Sequence, residues 1–234
     1  SRCRQQQAGK AKYNGVRLYH KVIFFHAIQY FRADILPFYG ARMIFLASQS
    51  PRRQELLAQL QVTFDVIDVN VHEQRQQGET PWDYVNRVAR EKAGAGLFQL
   101  AGSPDALVMG ADTDVVLAGA VLGKPENAVQ AFAMLRALSG QTHEVISAVW
   151  LISAGMEAHC VVRSKVRFAA ITDAEIHAYI ASGEPFGKAG AYAIQGRGAA
   201  FIESIEGSYS GIMGLPLRET YQLLQQFNVP VWAS

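Results

Sequence analysis

Met43-Ile44-Phe45-Leu46-Ala47-Ser48-Gln49-Ser50-Pro51-Arg52-Arg53 runs from five apolar residues straight into hydroxyls, a proline and two guanidiniums. A short apolar run bounded by turn residues reads as a buried strand, residues 43–47. Ser50 and Pro51 then supply an N-cap and a first-turn proline for a helix reaching about residue 60. A strand feeding a helix through so short a turn is the opening unit of an α/β domain. The same junction gathers helix-terminal N–H groups, the positive end of the helix dipole and two arginines, which together suit a phosphate. The plainer alternative is an ordinary capped helix with two solvated arginines.

Outward from this unit, strands and helices keep alternating. Residues 63–69 read as a second strand. Thr80 and Pro81 open a helix to about residue 100, with Val85, Val88, Ala89 and Ala93 as its apolar stripe. A short buried strand at 107–110 is expected to break at Ala111-Asp112-Thr113, followed by a hairpin over 115–122 turning at Ala118-Gly119-Ala120. A helix over 127–138 closes at Gly140, and two longer strands, 142–153 and 159–169, meet at Gly155. Thr172 and Glu175 form a capping box for a helix ending near Gly183. Residues 183–214 are glycine-rich, which in a compact domain points to function, and a terminal helix covers 216–227.

With 234 residues, half of them hydrophobic, the chain can bury one substantial core or two lobes that share a cleft. Cys3 and Cys160 have no CxxC partner and no histidine at metal-ligand spacing, so neither a zinc site nor a disulfide framework is expected, and a reducing cytoplasm fits. Residues 1–42 carry eight of the 22 basic side chains and, in Asp34, one of the 20 acidic ones. The remainder is therefore acidic, which argues against a nucleic-acid partner and requires local cations for any anionic substrate. Residues 1–42 read as a non-native or upstream extension, with Met43 as the natural start and 43–234 as the functional domain. No apolar stretch reaches the roughly eighteen residues of a membrane span.

Several residues are candidates for chemistry. Asp112, expected at the end of a buried strand, suits a metal ligand or a base for water, or else a turn aspartate bonded to its own loop. If the strand continues, Asp114, two residues on, is expected on the opposite side as a surface or supporting residue. Lys92 lies on the apolar stripe of its helix, where it either meets an anion or snorkels to solvent. Lys124, between Gly123 and Pro125, and Glu73, in a polar run, are each a site residue or a plain surface group. Gly187-Lys188-Ala189-Gly190-Ala191-Tyr192 with Gln195-Gly196 forms a backbone-lined wall able to approach a flat base, with Gln195 offering a donor and an acceptor. His143 and His177 lack ligand spacing and read as structural.

Taken in order, these segments resemble the Maf family of nucleotide pyrophosphatases: Leu46 to Arg53, Arg90-Glu91-Lys92-Ala93, Gly110-Ala111-Asp112-Thr113, Gly123-Lys124-Pro125, Ser139-Gly140-Gln141-Thr142-His143, Gly187 to Gly196 and Gly214-Leu215-Pro216-Leu217. The resemblance implies a two-lobed α/β fold of the Maf/ITPase type, an elongated mixed sheet flanked by helices with the active cleft between lobes. It implies an enzyme, commonly a homodimer, that hydrolyses a nucleoside triphosphate to monophosphate and pyrophosphate with a divalent metal, Mg2+ or Mn2+; the cysteine usage adds the cytoplasmic setting. Carried over by motif position, Asp112 is the base, Glu73 shares the metal with it, and Lys92 and Lys124 complete the catalytic set. Ser48, Arg52, Arg53, Thr113 and Gln195 bind substrate. Arg52, Thr113 and Gln195 resemble a subgroup acting on dTTP and UTP. The alternatives are a methylated-guanine (m7GTP) subgroup and a non-hydrolysing nucleotide-binding regulator of cell division. The cellular purpose is then removal of non-standard nucleotides or control of pyrimidine triphosphate pools. Two residues depart from the family pattern: His72 replaces an acidic neighbour of Glu73, and Asp114 adds a charge at a usually apolar position.

Overall fold

The computed structural model describes residues 42–232, so the reading of 1–42 as an extension lies, but for its last residue, outside the described residues. Strand β1 (Ile44–Ala47) turns Ile44 and Leu46 to one face and Phe45 and Ala47 to the other, and all four are buried. A strand covered on both faces belongs inside a sheet between two layers of helix. It lies between β2 (Phe64–Val66) and β3 (Leu107–Leu117), parallel to both. β4 (Ala120–Val121) folds back on the far end of β3, and β5 (Thr142–Ile152), β6 (Glu157–Phe168) and β7 (Ile202–Glu206) continue the sheet antiparallel. Among the described residues this makes one mixed seven-stranded sheet flanked by helices.

The helices are α1 (Pro51–Gln59), α2 (Pro81–Gln99), α3 (Ala128–Leu138), α4 (Asp173–Ala181), α5 (Tyr209–Met213) and α6 (Leu217–Gln226). On one face, Leu56 and Leu57 of α1 and Leu223 and Leu224 of α6 pack on Leu46, Met109 and Leu151. On the other, the α2 stripe of Val85, Val88, Ala89 and Ala93 covers Phe45, Val108 and Ala148. A third cluster joins Leu135 and Leu138 of α3 to Ile176 and Tyr179 of α4 over Val145, Val166 and Phe168. The expected local signals are present: Asn127 caps α3, and Thr172 with Glu175 forms the reciprocal capping box of α4. No helix among the described residues is long and apolar enough to cross a membrane.

The crossing of α2 over β3 sets the position of everything near it. A Cβ on Gly110 would collide with the Ala89 carbonyl oxygen and lie 2.5 Å from the Ala93 nitrogen. Only glycine admits so close an approach of helix backbone to strand.

Three local expectations are corrected. β3 does not break at Ala111-Asp112-Thr113; its ladder with β5 is continuous from Val108 opposite Ile152 to Val116 opposite Glu144. The strand that ends is β1, whose last pair is Ala47 with Gly110, and β4 does not begin until Val121 meets Val116. Residues 111–115 of β3 therefore have a strand neighbour on one edge only, and the sheet opens beside them. β2 is shorter than expected, and the glycine-rich stretch contains β7 and α5. Ser50 occupies the N-cap position of α1 without a side-chain cap bond, and its N–H donates to Ser48 Oγ at 3.3 Å.

Gly110→Ala should cost about 3 kcal/mol, because the added methyl meets helix backbone that cannot rotate away. Urea unfolding of the variant beside Gly94→Ala measures this; Gly94 has open space at its Cβ position and serves as the mild control.

Candidate active site

The opening left by the end of β1 is the mouth of a cleft with a volume of about 660 Å³. All nine residues singled out from sequence line it: Ser48, Arg52, Arg53, Glu73, Lys92, Asp112, Thr113, Lys124 and Gln195. β3 serves both sides of it, because side chains alternate along a strand. Asp112 and Asp114 share the α2 face with Val108 and Val116, whereas Thr113 and Val115 face the other way. The expectation that Asp114 points away from Asp112 is corrected: positions two apart on a continuous strand share a face. Both aspartates are 7% exposed.

On the α2 face the charges alternate. Lys92, flanked in the helix by the residues that grip Gly110, is buried rather than snorkelled. Its Nζ donates to Asp112 Oδ1 at 2.8 Å and to Glu73 Oε1 at 2.6 Å. Lys124 Nζ donates to Glu73 Oε2 at 3.2 Å. The sequence of groups is thus carboxylate, ammonium, carboxylate, ammonium, with the second lysine on the solvent side. Burial pushes Glu73 up, but Lys92 and Lys124 outweigh it and hold the carboxyl down at about 2.

On the opposite face a hydroxyl and guanidinium network fixes the segment after β1. Arg53 donates from Nε to the Gly214 carbonyl at 3.0 Å, from Nη1 to Ser48 Oγ at 3.2 Å and from Nη2 to Thr113 Oγ1 at 3.3 Å. Thr113 Oγ1 lies 2.8 Å from Oγ of Ser147, its register partner on β5, and Ser147 donates to the Gly211 carbonyl at 2.6 Å. Arg53, Ser48 and Thr113 thus brace one another across the cleft floor. Arg52 donates to no protein group among the described residues, and its half-buried guanidinium is available to an anion.

The glycine-rich wall closes the cleft from the third side. Gly190, at φ 68°, presses against Val115, where a Cβ would lie 2.9 Å from that side chain. Its N–H donates to the Gly123 carbonyl at 2.8 Å, coupling the wall to the turn that carries Lys124. Gln195 is exposed on this wall and makes no hydrogen bond among the described residues. Lys188, Ser147 and Tyr84 are site or near-site residues that sequence reasoning did not assign; the flanking glycine-rich pattern was the available signal for Lys188. His143 and His177 do not line the cleft. His143 Nε2 lies 2.8 Å from the Tyr192 hydroxyl, and burial pulls this imidazole down to about 4, leaving it neutral; His177 stacks on Phe132.

Among the described residues Asp114 makes no ion pair. Burial, then the neighbouring Asp112 and Glu73 carboxylates, push it up to about 7, offset in part by Lys124 and Lys92; the Tyr84 ring completes its surroundings. A carboxyl that holds its proton more tightly folded than unfolded favours folding below its unfolded value, near 4, and loses that contribution as pH rises through about 7. Asp114→Asn cannot ionise, so it should match the parent at pH 4 and exceed it by a few kcal/mol at pH 8. Urea unfolding across that range tests this, and parallel curves for the two proteins would exclude it.

The family model described as Maf-like protein matches residues 43–227. A nucleoside triphosphate pyrophosphatase of Xylella fastidiosa (strain 9a5c) is 53% identical over 187 residues, covering 80% of this chain and 99% of that protein. A dTTP/UTP pyrophosphatase of Xanthomonas euvesicatoria pv. vesicatoria (strain 85-10) is 56% identical over 188 residues, covering 80% and 99%. Another from Escherichia coli O157:H7 is 55% identical over 185 residues, covering 79% and 93%. A family match over most of the described residues and relatives more than half identical over nearly their whole length place it: the chain belongs to the Maf-like protein family.

Proposed function

We propose that the protein hydrolyses nucleoside triphosphates, dTTP and UTP foremost, to the monophosphate and pyrophosphate, with Asp112 as the base that activates water. The observation that carries this is the alternating run Asp112, Lys92, Glu73, Lys124 set in one cleft with the unpaired Arg52 and the Gln195 wall. Relatives more than half identical are named as pyrophosphatases of these nucleotides, which supports the substrate class.

In this reading each part of the cleft has a task. Asp112 is engaged through Oδ1 by Lys92, which orients the carboxylate while it accepts a proton from water. Lys124 and Arg52 neutralise phosphate charge as it shifts in the transition state. Ser48, Arg53 and Thr113 hold the segment after β1 in the conformation that offers its N–H groups to phosphate. Gln195 presents an amide to the base edge, able both to donate and to accept. The expected homodimer and cytoplasmic setting belong to the same reading.

Glu73 and Asp112 are also the residues that would hold a divalent cation. Among the described residues no three His, Cys, Asp or Glu side chains form a ready metal cluster. Mg2+ is commonly held by one or two carboxylates together with substrate phosphates, and this oxygen pair fits that mode in kind. When bound, such a cation supplies charge neutralisation at the phosphates.

Asp112→Asn keeps the shape and removes the base. Pyrophosphate release from dTTP should fall by roughly a thousandfold or more, within the range general-base loss produces, with thermal unfolding still cooperative. Retained turnover would remove Asp112 from that role.

A further inference from the structure

The wall that carries Gln195 is held at both ends by one small polar network outside the cleft. The Tyr179 hydroxyl, on α4, donates to Glu184 Oε1 at 2.8 Å and accepts the Ala193 N–H at 3.2 Å. Glu184 Oε1 also accepts the Gly198 N–H at 3.0 Å, and Oε2 accepts the Arg197 N–H at 2.9 Å. Ile194, Gln195 and Gly196 are therefore strung between two anchored stretches of backbone. The approach is close enough to restrict the sequence: a Cβ on Gly196 would lie 2.5 Å from the Glu184 carboxylate, and one on Gly198 would lie 2.8 Å from the Tyr179 hydroxyl.

The network has the chemistry of a fixed anchor. Burial works against ionisation of Glu184, but the Arg197 and Gly198 N–H groups and the Tyr179 hydroxyl outweigh it and hold the carboxyl below its ordinary range. Backbone N–H groups bound by an ionised carboxylate make stronger bonds than neutral pairs do. Tyr179 is seated in the third hydrophobic cluster, with its ring edge-on to Phe201, so the anchor is tied to α4 rather than to another loop.

We infer that Glu184, with Tyr179, is a positioning residue for base selection: its carboxylate fixes the backbone on both sides of Gln195 and so sets where the Gln195 amide meets the base. Neither residue lines the cleft, and both act through the wall. The inference rests on the proposed reading of Gln195 as the group that reads the base.

Glu184→Gln keeps the size but leaves one acceptor oxygen and brings an NH2 against a backbone N–H. Steady-state kinetics with dTTP and dATP, together with inhibition by inorganic tripolyphosphate as a probe lacking a base, separate positioning from stability. The dTTP-over-dATP ratio of kcat/KM should fall roughly tenfold, the scale of one lost charge-assisted bond, chiefly through KM for dTTP. The kcat and tripolyphosphate inhibition should stay near the parent values. Tyr179→Phe removes the bridge alone, so it should shift the ratio in the same direction by less, and it carries the test if Glu184→Gln does not fold. Gln195→Glu is the reference for the base reading. A loss of active protein with the ratio unchanged in both anchor variants, while Gln195→Glu changes it, would overturn the positioning role alone. An unchanged ratio in Gln195→Glu would overturn the base reading and the positioning role with it.

Discussion

The contact between α2 and β3 at Gly110 is the constraint on which the site depends. With no side chain at that position, the helix backbone settles onto the strand, and its next inward residue after Ala89, Lys92, reaches the carboxylate two residues along β3. A wider separation would leave Lys92 short of Asp112 and would also loosen its hold on Glu73. Sheet geometry supplies the other half. β1 stops where α2 presses hardest, so the first charged residue of β3 past that contact lies at an open edge.

Such a concentration of charge is poorly explained by stability. Moving ions out of water costs several kcal/mol each, and a buried pair often contributes less than apolar residues of the same volume would. Here two carboxylates share one buried ammonium, and Asp114 stands beside them with no ion pair among the described residues. On the opposite face the polar groups satisfy each other, Arg53 with Ser48, Thr113 and Gly214, which makes that side a rigid floor. One side of the cleft is thus built for charge and proton chemistry, the other for holding shape. The wall with Gln195 contributes neither of these and, in the proposed reading, supplies the surface that meets the base.

Much of the frame was legible in the sequence because its signals are local. The apolar run of β1, the Thr80 and Pro81 start of α2, the Asn127 cap and the Thr172 capping box all lie within a few residues of the elements they define. The nine candidate residues that line the cleft were legible through ordered motifs. What local reading missed depends on partners far along the chain. Asp112 and Thr113 looked like a strand end because polar residues seldom continue a buried strand. They continue β3 because Lys92, Arg53 and Ser147 satisfy them. The misplacement of Asp114 is a separate matter of the strand period: residues two apart on a continuous strand share a face, so Asp114 lies beside Asp112. Glu184 bonds mainly to backbone N–H groups more than ten residues away, and such partners leave no side-chain signature beyond the glycines at 196 and 198.

The central claim is that this cleft turns over nucleoside triphosphates. Incubating the protein with Mg2+ and a panel of dTTP, UTP, dATP, GTP and m7GTP, followed by quantification of monophosphate, diphosphate, pyrophosphate and phosphate, tests it most directly. The expected result is equal amounts of monophosphate and pyrophosphate, formed fastest from dTTP and UTP. Binding of these nucleotides without turnover, or release of diphosphate and phosphate in their place, would contradict it.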